Sequence, residues 1–578
     1  MAQAEAPPAP APAAPREEDR LSAKARAVAF HVAWLGICLL VFGWYYSDQF
    51  RGLQQPDAMD AAQVARHIGD GHGFTTSVVR PLSFAKVPRA LGHPDLYNPP
   101  LYPLVLAAVM NSAGPKDSTV AFCSLVFGIL TAIMAFLLGA RLANQWVGAL
   151  AALLVTLNLG MLTISISGAN IALAAFLTTT LFYLVARDGG TIRWAAAAGA
   201  LCGLAYLSEF SLLSLAVVAA ALVALSRPQG RVARVIVFGA AFVMVVAPWL
   251  VRNWRVAGSP FAGLQTYSVA MYGSTHPGTT VFRSTQPERV APWRFLSGGY
   301  REVARKLLLS LWSLESGLVG AYGICLLITL GVALVMDLGS GVPTRLKWAF
   351  VVAAAALAVS LAAGQPRGDA GFGLVGLAAA VGAAGFAAAL SSRGLSARLM
   401  AAAVGLLLLA AAYPVAVQVL LGRVRHSDTR NLEYLSRVLP AAAIVMTDRP
   451  VEVAWYAGRA AVWLPLAPMP SQRRMRRDDA ATPERFPGYQ ALTARGLRPD
   501  AIYLSYRVGT LDASEAAWRW QELHKLIAEQ LYLIEQRRAT GTPWVPPGWT
   551  LAASLPPQDF LLLRTEAVTG GRVIEGDR

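Results

Sequence analysis

TVAFCSLVFGILTAIMAFLLGA, residues 119–140, contains no Asp, Glu, Lys or Arg. A stretch of that length and apolarity suits a helix crossing the ~30 Å hydrocarbon core of a bilayer. Comparable apolar segments fall at 28–46, 144–164, 168–186, 194–208, 210–226, 233–252, 317–336, 348–364, 370–391 and 398–421. They predict an α-helical polytopic membrane protein with about eleven spans. Composition agrees, since the 578-residue chain is 55% hydrophobic and only 15% charged, too apolar for water to be its main solvent.

The net charge of +16 comes from 50 Lys and Arg against 34 Asp and Glu. Basic residues gather beside the spans, which suits bilayer topology and anionic lipid and gives no reason to invoke nucleic acid. With the N-terminus inside, alternate connections carry Arg141, then Arg187 and Arg193, then Arg227, Arg231 and Arg234, then Arg345 and Lys347, then Arg393 and Arg398. The positive-inside rule therefore predicts a cytoplasmic N-terminus, an odd number of spans and an exported, periplasmic C-terminus in a cell inner membrane. All four cysteines, Cys38, Cys123, Cys202 and Cys325, fall within apolar runs, which leaves no CxxC site and no disulfide framework.

Residues 1–27 are Pro/Ala-rich and then charged, predicting a disordered tail before an uncleaved signal anchor. Residues 28–422 form the predicted membrane domain. Two loops within it, 47–118 and 253–316, are too long to be plain connectors, and long loops on a packed scaffold carry function. Beyond residue 422 the charge and proline content rises, with strand-like runs at 441–448, 461–466, 500–505 and 559–565 and a helical stretch at 514–537. That pattern predicts a small C-terminal α/β domain, 423–578. Arg459 among aromatics suits glycan contact or simple core packing, and the RRMRR run at 473–477 suits a solvated or lipid-facing loop.

The first long loop reads PDAMDAAQVARHIGDGHGFTT from Pro56. Proline and Asp start a helix and the glycines stop it. Asp57 and Asp60, three apart, fall on one helical face at the membrane boundary. They act there as a general base and its neighbour, or else Asp57 caps the helix and Asp60 faces water. Next comes HPDLYNPPLYPLVLAAVM from His93, whose Tyr97, Pro99, Pro100, Tyr102 and Pro103 form a rigid interfacial platform. The seventh span leaves through APWLVRNWRVAGSPF, which places Arg252, Asn253 and Arg255 at the same boundary.

Taken in order, the acidic helix ending in GDGHGF, the PPLYPL segment and the RN…GSPF exit resemble the GT-C superfamily of integral-membrane glycosyltransferases. Within it they are similar to bacterial glycosyltransferase family 39, the protein mannosyltransferases and the aminoarabinose transferases. The resemblance covers roughly the first 260 residues. It implies a polyprenyl-phosphate sugar donor, a lipid, glycan or protein acceptor, and inversion at the anomeric carbon. By its offset from Ala65 and Arg66, Asp57 takes the family's place of base or acceptor-orienting acid, with Asp60 second. Arg252, with Asn253 and Arg255, would seat the lipid phosphate through a bidentate guanidinium. The loop cations Arg283, Arg289, Arg294, Arg301, Arg305 and Lys306 are further candidates. Where many relatives carry adjacent acids this chain has Asp57 then Ala58, which argues against a divalent metal held by paired carboxylates.

Glu209, in LAYLSEFSLLSL, lies at the ends of two spans, where an acid either faces a cavity or partner such as Arg252 or is exposed by a short turn. His67, His72 and His93 lack metal-ligand spacing, and His72 and His93 are candidate acceptor contacts. A secondary transporter or flippase would show internal repeats and mid-membrane charges, whereas the charges here cluster at one boundary. A non-catalytic scaffold would need far fewer spans.

Overall fold

The computed structural model describes residues 17–187, 191–271, 279–297, 300–339, 342–364, 368–422, 429–466, 482–510, 518–536 and 540–566. The RRMRR run lies outside them.

Helix α1, Glu17–Gln49, begins ahead of the predicted span, so residues 17–27, expected as disordered tail, are helical. The first long loop then builds α2 (Pro56–Gly69), β1 (Thr75–Thr76), β2 (Val78–Val79), α3 (Pro81–Lys86), β3 (His93–Pro94) and α4 (Leu101–Ala113). The bundle continues with α5 (Asp117–Leu142), α6 (Gln145–Thr156), α7 (Leu159–Ser167), α8 (Ile171–Arg187), α9 (Ile192–Ser208), α10 (Leu213–Ser226) and α11 (Arg231–Ala257). After the second loop, which contains α12 (Pro292–Ser297), come α13 (Tyr300–Val335), α14 (Val342–Ala363), α15 (Val375–Ser392) and α16 (Ala397–Leu421).

Each of the eleven apolar segments is helical, and among the described residues 6 helices are long and apolar enough to cross a membrane on their own. Helices α6 and α7 pass the same test only when taken together and meet at a bend of 62°, and the rest are shorter apolar helices. The bend is satisfied locally. Asn158 caps α7 by accepting from Met161 N at 2.7 Å, and its Nδ2 donates to Tyr322 O at 2.6 Å, beside the break in α13 at Gly323 (φ 66°). Two interrupted helices thus meet a requirement that lipid cannot, since backbone groups in hydrocarbon must find protein partners. At one end of the bundle, buried Lys347 donates to Leu334 O and Met336 O, and buried Arg234 to Gln229 O and Arg227 O. These cations satisfy the last carbonyls of α13 and the turn after α10.

Both long loops lie at the other end, with the C-terminal region. There α17 (Arg430–Val438) precedes β4 (Ile444–Thr447), β5 (Ala460–Trp463), β6 (Ala501–Leu504), β7 (Trp549–Leu555) and β8 (Asp559–Arg564). The sheet order is β2-β5-β4-β6-β8-β7, with the first four strands parallel and β8 antiparallel to both β6 and β7. Residues 423–578 therefore do not contain the whole sheet, because the first loop supplies its edge strand β2. Trp455 Nε1 and the Tyr456 hydroxyl donate to Asp117, at 2.8 and 2.9 Å, and Arg66 donates to Trp455 O and Ala454 O. One hydrophobic core runs from the bundle into the sheet.

Candidate active site at the loop-covered end of the bundle

Helix α2 starts with Gln55 as N-cap and Pro56 in its first turn, followed at once by Asp57. Gly168, between α7 and α8, fixes where that turn sits. Its φ is +77°, and a Cβ there would meet Val120 Cγ1 at 2.8 Å, Leu53 Cδ2 at 2.9 Å and Ala58 Cβ at 3.4 Å. Only glycine supplies that backbone angle with no side chain in the way. The Tyr102 hydroxyl donates to Gly168 O at 2.8 Å, tying the Pro-rich start of α4 to the same turn.

Asp57 opens into a cavity of ≈ 300 Å³. Its lining includes Tyr97, Asn98, Pro99, Tyr102 and Pro103 from the first long loop and the start of α4, Asn170, Glu209 and Ser211 from the turns of the bundle, and Gln265, Ser268, Val269, Ser360, Leu361, Ala363 and Gly364 from the second loop and the end of α14. Glu209 is half-buried and held in place. Its carboxylate accepts from Ser211 Oγ at 3.1 Å and Asn170 Nδ2 at 3.2 Å, while Asn170 Nδ2 also donates to Ser208 O. Ser360 Oγ donates to Ser211 O at 3.2 Å, linking that edge to the end of α14. The lining thus has two carboxylates, several amides and hydroxyls, and two tyrosines, a surface suited to a hydroxyl-rich ring.

Asp60 is not in that lining. Its carboxylate is buried, accepts from Arg80 Nη2 at 2.5 Å and from Gln63 Nε2 at 3.1 Å, and is also bonded to Asn98. Burial pushes the Asp60 carboxyl up, and the adjacent Arg80 charge opposes the rise. The Arg80 guanidinium is 3.8 Å from the Tyr97 ring centroid. Asp60 thus stands behind the cavity, supporting Tyr97 and Asn98.

Five further expected site residues, Arg252, Asn253, Arg255, His72 and His93, are not in that lining either. Arg252 donates to Asp95 O at 2.7 Å and Phe74 O at 3.0 Å and stacks by Phe74 and Trp249, so it ties α11 to the β1–β3 hairpin. It pairs neither with Glu209 nor with the cavity. Asn253 is buried and accepts from Arg252, and Arg255 is exposed. His72 is exposed beside His67. His93 is buried, its Nδ1 donating to Arg89 O at 2.7 Å and its Nε2 lying 2.8 Å from the Ser83 hydroxyl. Burial pulls its pKa down to about 4. Arg283 is buried and donates to Leu464 O, joining the second loop to the sheet. Among the described residues no three of His, Cys, Asp and Glu gather as a metal-ligand set.

Sequence reading missed Arg80, Asn98 and Asn170, and gave Lys306 only as one of six loop cations. Asn98 sits within the quoted YNPP run, where a polar residue between aromatics and prolines was the available signal. Lys306, near the start of α13, is 2% exposed. Its ammonium donates to Ser268 O at 2.7 Å, Val269 O at 2.5 Å and Ala363 O at 2.8 Å, and burial draws its pKa down to about 7.

Residues 97–252 match the family described as dolichyl-phosphate-mannose-protein mannosyltransferase, as the sequence resemblance anticipated. The fold is similar to ArnT from Cupriavidus metallidurans bound to undecaprenyl phosphate, with TM-score 0.53 and 13% identity over 93% of this chain and 98% of that one. It is also similar to the oligosaccharyltransferase AglB from Archaeoglobus fulgidus, solved with an inhibitory peptide and a dolichol-phosphate, with TM-score 0.50 and 13% identity over 83% of this chain and 70% of that one. At such identity the structures speak for the fold. No curated protein matches the chain in sequence.

Proposed function

We propose that the protein moves a monosaccharide from a polyprenyl-phosphate donor to a hydroxyl of a cell-envelope acceptor at the periplasmic face of the inner membrane. Its N-terminus would lie in the cytoplasm and its sheet in the periplasm. The observation that carries this reading is the position of Asp57, at the first turn of α2, lining with Glu209 a cavity of ≈ 300 Å³. The pocket's hydroxyl and amide lining suits one sugar ring, and it sits where a loop-covered face meets the apolar bundle.

In the proposed reaction the acceptor oxygen attacks the anomeric carbon, the bond from that carbon to the phosphate oxygen breaks, and Asp57 takes the acceptor proton. The lipid phosphate leaves with the bonding electrons, and attack opposite the leaving group inverts the centre. A carboxylate at that point also favours the oxocarbenium-like charge that builds on the sugar. Glu209, held by Ser211 and Asn170, is the second acid on the ring. The undecaprenyl phosphate bound by ArnT and the dolichol-phosphate bound by AglB support a lipid-phosphate donor.

The test is to incubate the purified protein with a panel of polyprenyl-phosphate sugars and cell-envelope acceptors and to measure free lipid phosphate. Release that depends on an acceptor is expected. No release with any donor, together with solute counterflow in proteoliposomes, would replace this reading with a transporter.

A further inference from the structure

Leu53 lies in the link between α1 and α2, ahead of Asp57, and is buried. A buried peptide needs partners for its N–H and C=O. Leu53 N donates to Asp117 Oδ2 at 3.1 Å. The Tyr456 hydroxyl lies 2.9 Å from the same carboxylate oxygen and 3.3 Å from Leu53 O. Asp117 Oδ1 accepts from Trp455 Nε1 at 2.8 Å. One carboxylate, on the first residue of α5, thus fastens the peptide that leads into α2 to two side chains from the C-terminal region.

Trp455 and Tyr456 belong to the turn Val453–Ala457, between β4 and β5. Helix α2 grips that turn a second time, near its other end. Arg66 Nη2 donates to Ala454 O at 2.7 Å and Nη1 to Trp455 O at 3.1 Å, with the guanidinium 5.0 Å from the Trp455 ring centroid. Gln55, the N-cap of α2, makes no side-chain cap hydrogen bond, so the helix start takes its place from its neighbours. Asp117 itself is not in the cavity lining. Resting on the reading of Asp57 as the reacting base, we infer that Asp117 is a positioning residue for Asp57: it locks the Leu53 peptide to the Trp455–Tyr456 turn and so sets where Asp57 stands in the cavity.

A shift of about 1 Å in a reacting group can cost on the order of 100-fold in rate. Asp117→Asn keeps the shape of the side chain and puts an amide N–H where an N–H or O–H now donates. In the full-length protein in detergent, below the melting temperature of every variant, it should lower kcat for lipid phosphate release by roughly 10- to 100-fold. The donor KM and the affinity for undecaprenyl phosphate should stay within about threefold of wild type. Trp455→Phe keeps the ring, removes the Nε1 donor and should lower kcat in the same way by several-fold. A residue that only holds the fold would instead lower the melting temperature and leave the kcat of the folded protein alone. The decisive comparison is with Asp57→Asn: adding Asp117→Asn to it should change the residual rate by no more than about twofold, because a residue that acts through Asp57 has nothing left to place.

Wild-type kcat in folded Asp117→Asn overturns the inference. So does a full further loss when Asp117→Asn is added to Asp57→Asn, or a loss of undecaprenyl phosphate affinity as large as the loss of kcat. Should Asp117→Asn fail to fold, wild-type kcat in Trp455→Phe overturns it equally. If the wild-type protein releases no lipid phosphate from any donor, the glycosyl-transfer reading fails and takes this inference with it. Normal wild-type release with an indifferent Asp117→Asn removes only the role of Asp117.

Discussion

Arg80 Nη2 lies 2.5 Å from Asp60 Oδ2, both side chains are buried, and the guanidinium faces the Tyr97 ring. This pair joins two turns of the first long loop and forms the back of the cavity. Breaking a buried pair strands the remaining charge, so Arg80→Met should cost ~3–5 kcal/mol of stability, and Asp60→Asn with Arg80→Met should recover part of it. Thermal unfolding of the four proteins of the cycle measures the coupling.

Asp57 and Asp60 should separate by function. Asp57→Asn should lower transfer by roughly 100- to 10,000-fold while donor affinity stays close to wild type. Asp60→Asn should lower stability and turnover together. Wild-type turnover in Asp57→Asn, measured as lipid phosphate released, would remove Asp57 from the reaction.

Arg252 is expected to behave as a tie between α11 and the first loop. Arg252→Met removes hydrogen bonds to two backbone carbonyls and should cost ~1–3 kcal/mol in thermal unfolding. At a temperature where the variant is folded, its affinity for undecaprenyl phosphate should match wild type. A selective loss of that affinity would restore the phosphate seat expected from the sequence.

Acid should loosen the loop-covered end. Burial holds both His93 and His67 down to about 4, below the ~6.5 of an unfolded chain. A depressed folded pKa means that the unfolded state binds protons first, so this stability is complete above about 6.5 and is lost as pH falls toward 4. Melting temperature should drop over that window, and His93→Gln should flatten the drop.

Gly168→Ala tests the turn that seats α2. The substitution forces a Cβ against Val120 and Leu53 at a φ of +77°, which should destabilise by ~1–3 kcal/mol and depress turnover with it. A neutral effect on both would show that the turn relaxes freely.

The apolar periodicity of the chain determined the bundle. All eleven predicted segments are helices, and four of the five strands β4–β8 fall on the predicted runs. Sequence also pointed to Asp57, Tyr97, Tyr102 and Glu209, which share one cavity, because acids and aromatics at the ends of apolar segments stand out locally. Tertiary structure alone decided which polar side chains face that cavity and which are consumed in holding it. Arg252 and His93 look like ligand contacts in the sequence, yet Arg252 bonds to two loop carbonyls and the Asn253 amide and His93 to a carbonyl and a hydroxyl, while Lys306, one cation among many in a basic loop, gathers three carbonyls of cavity-lining residues. The physical reason is that helix and span formation depend on neighbours a few residues apart, while a buried charge is placed by partners that may lie far along the chain, as Ser268 and Ala363 do for Lys306.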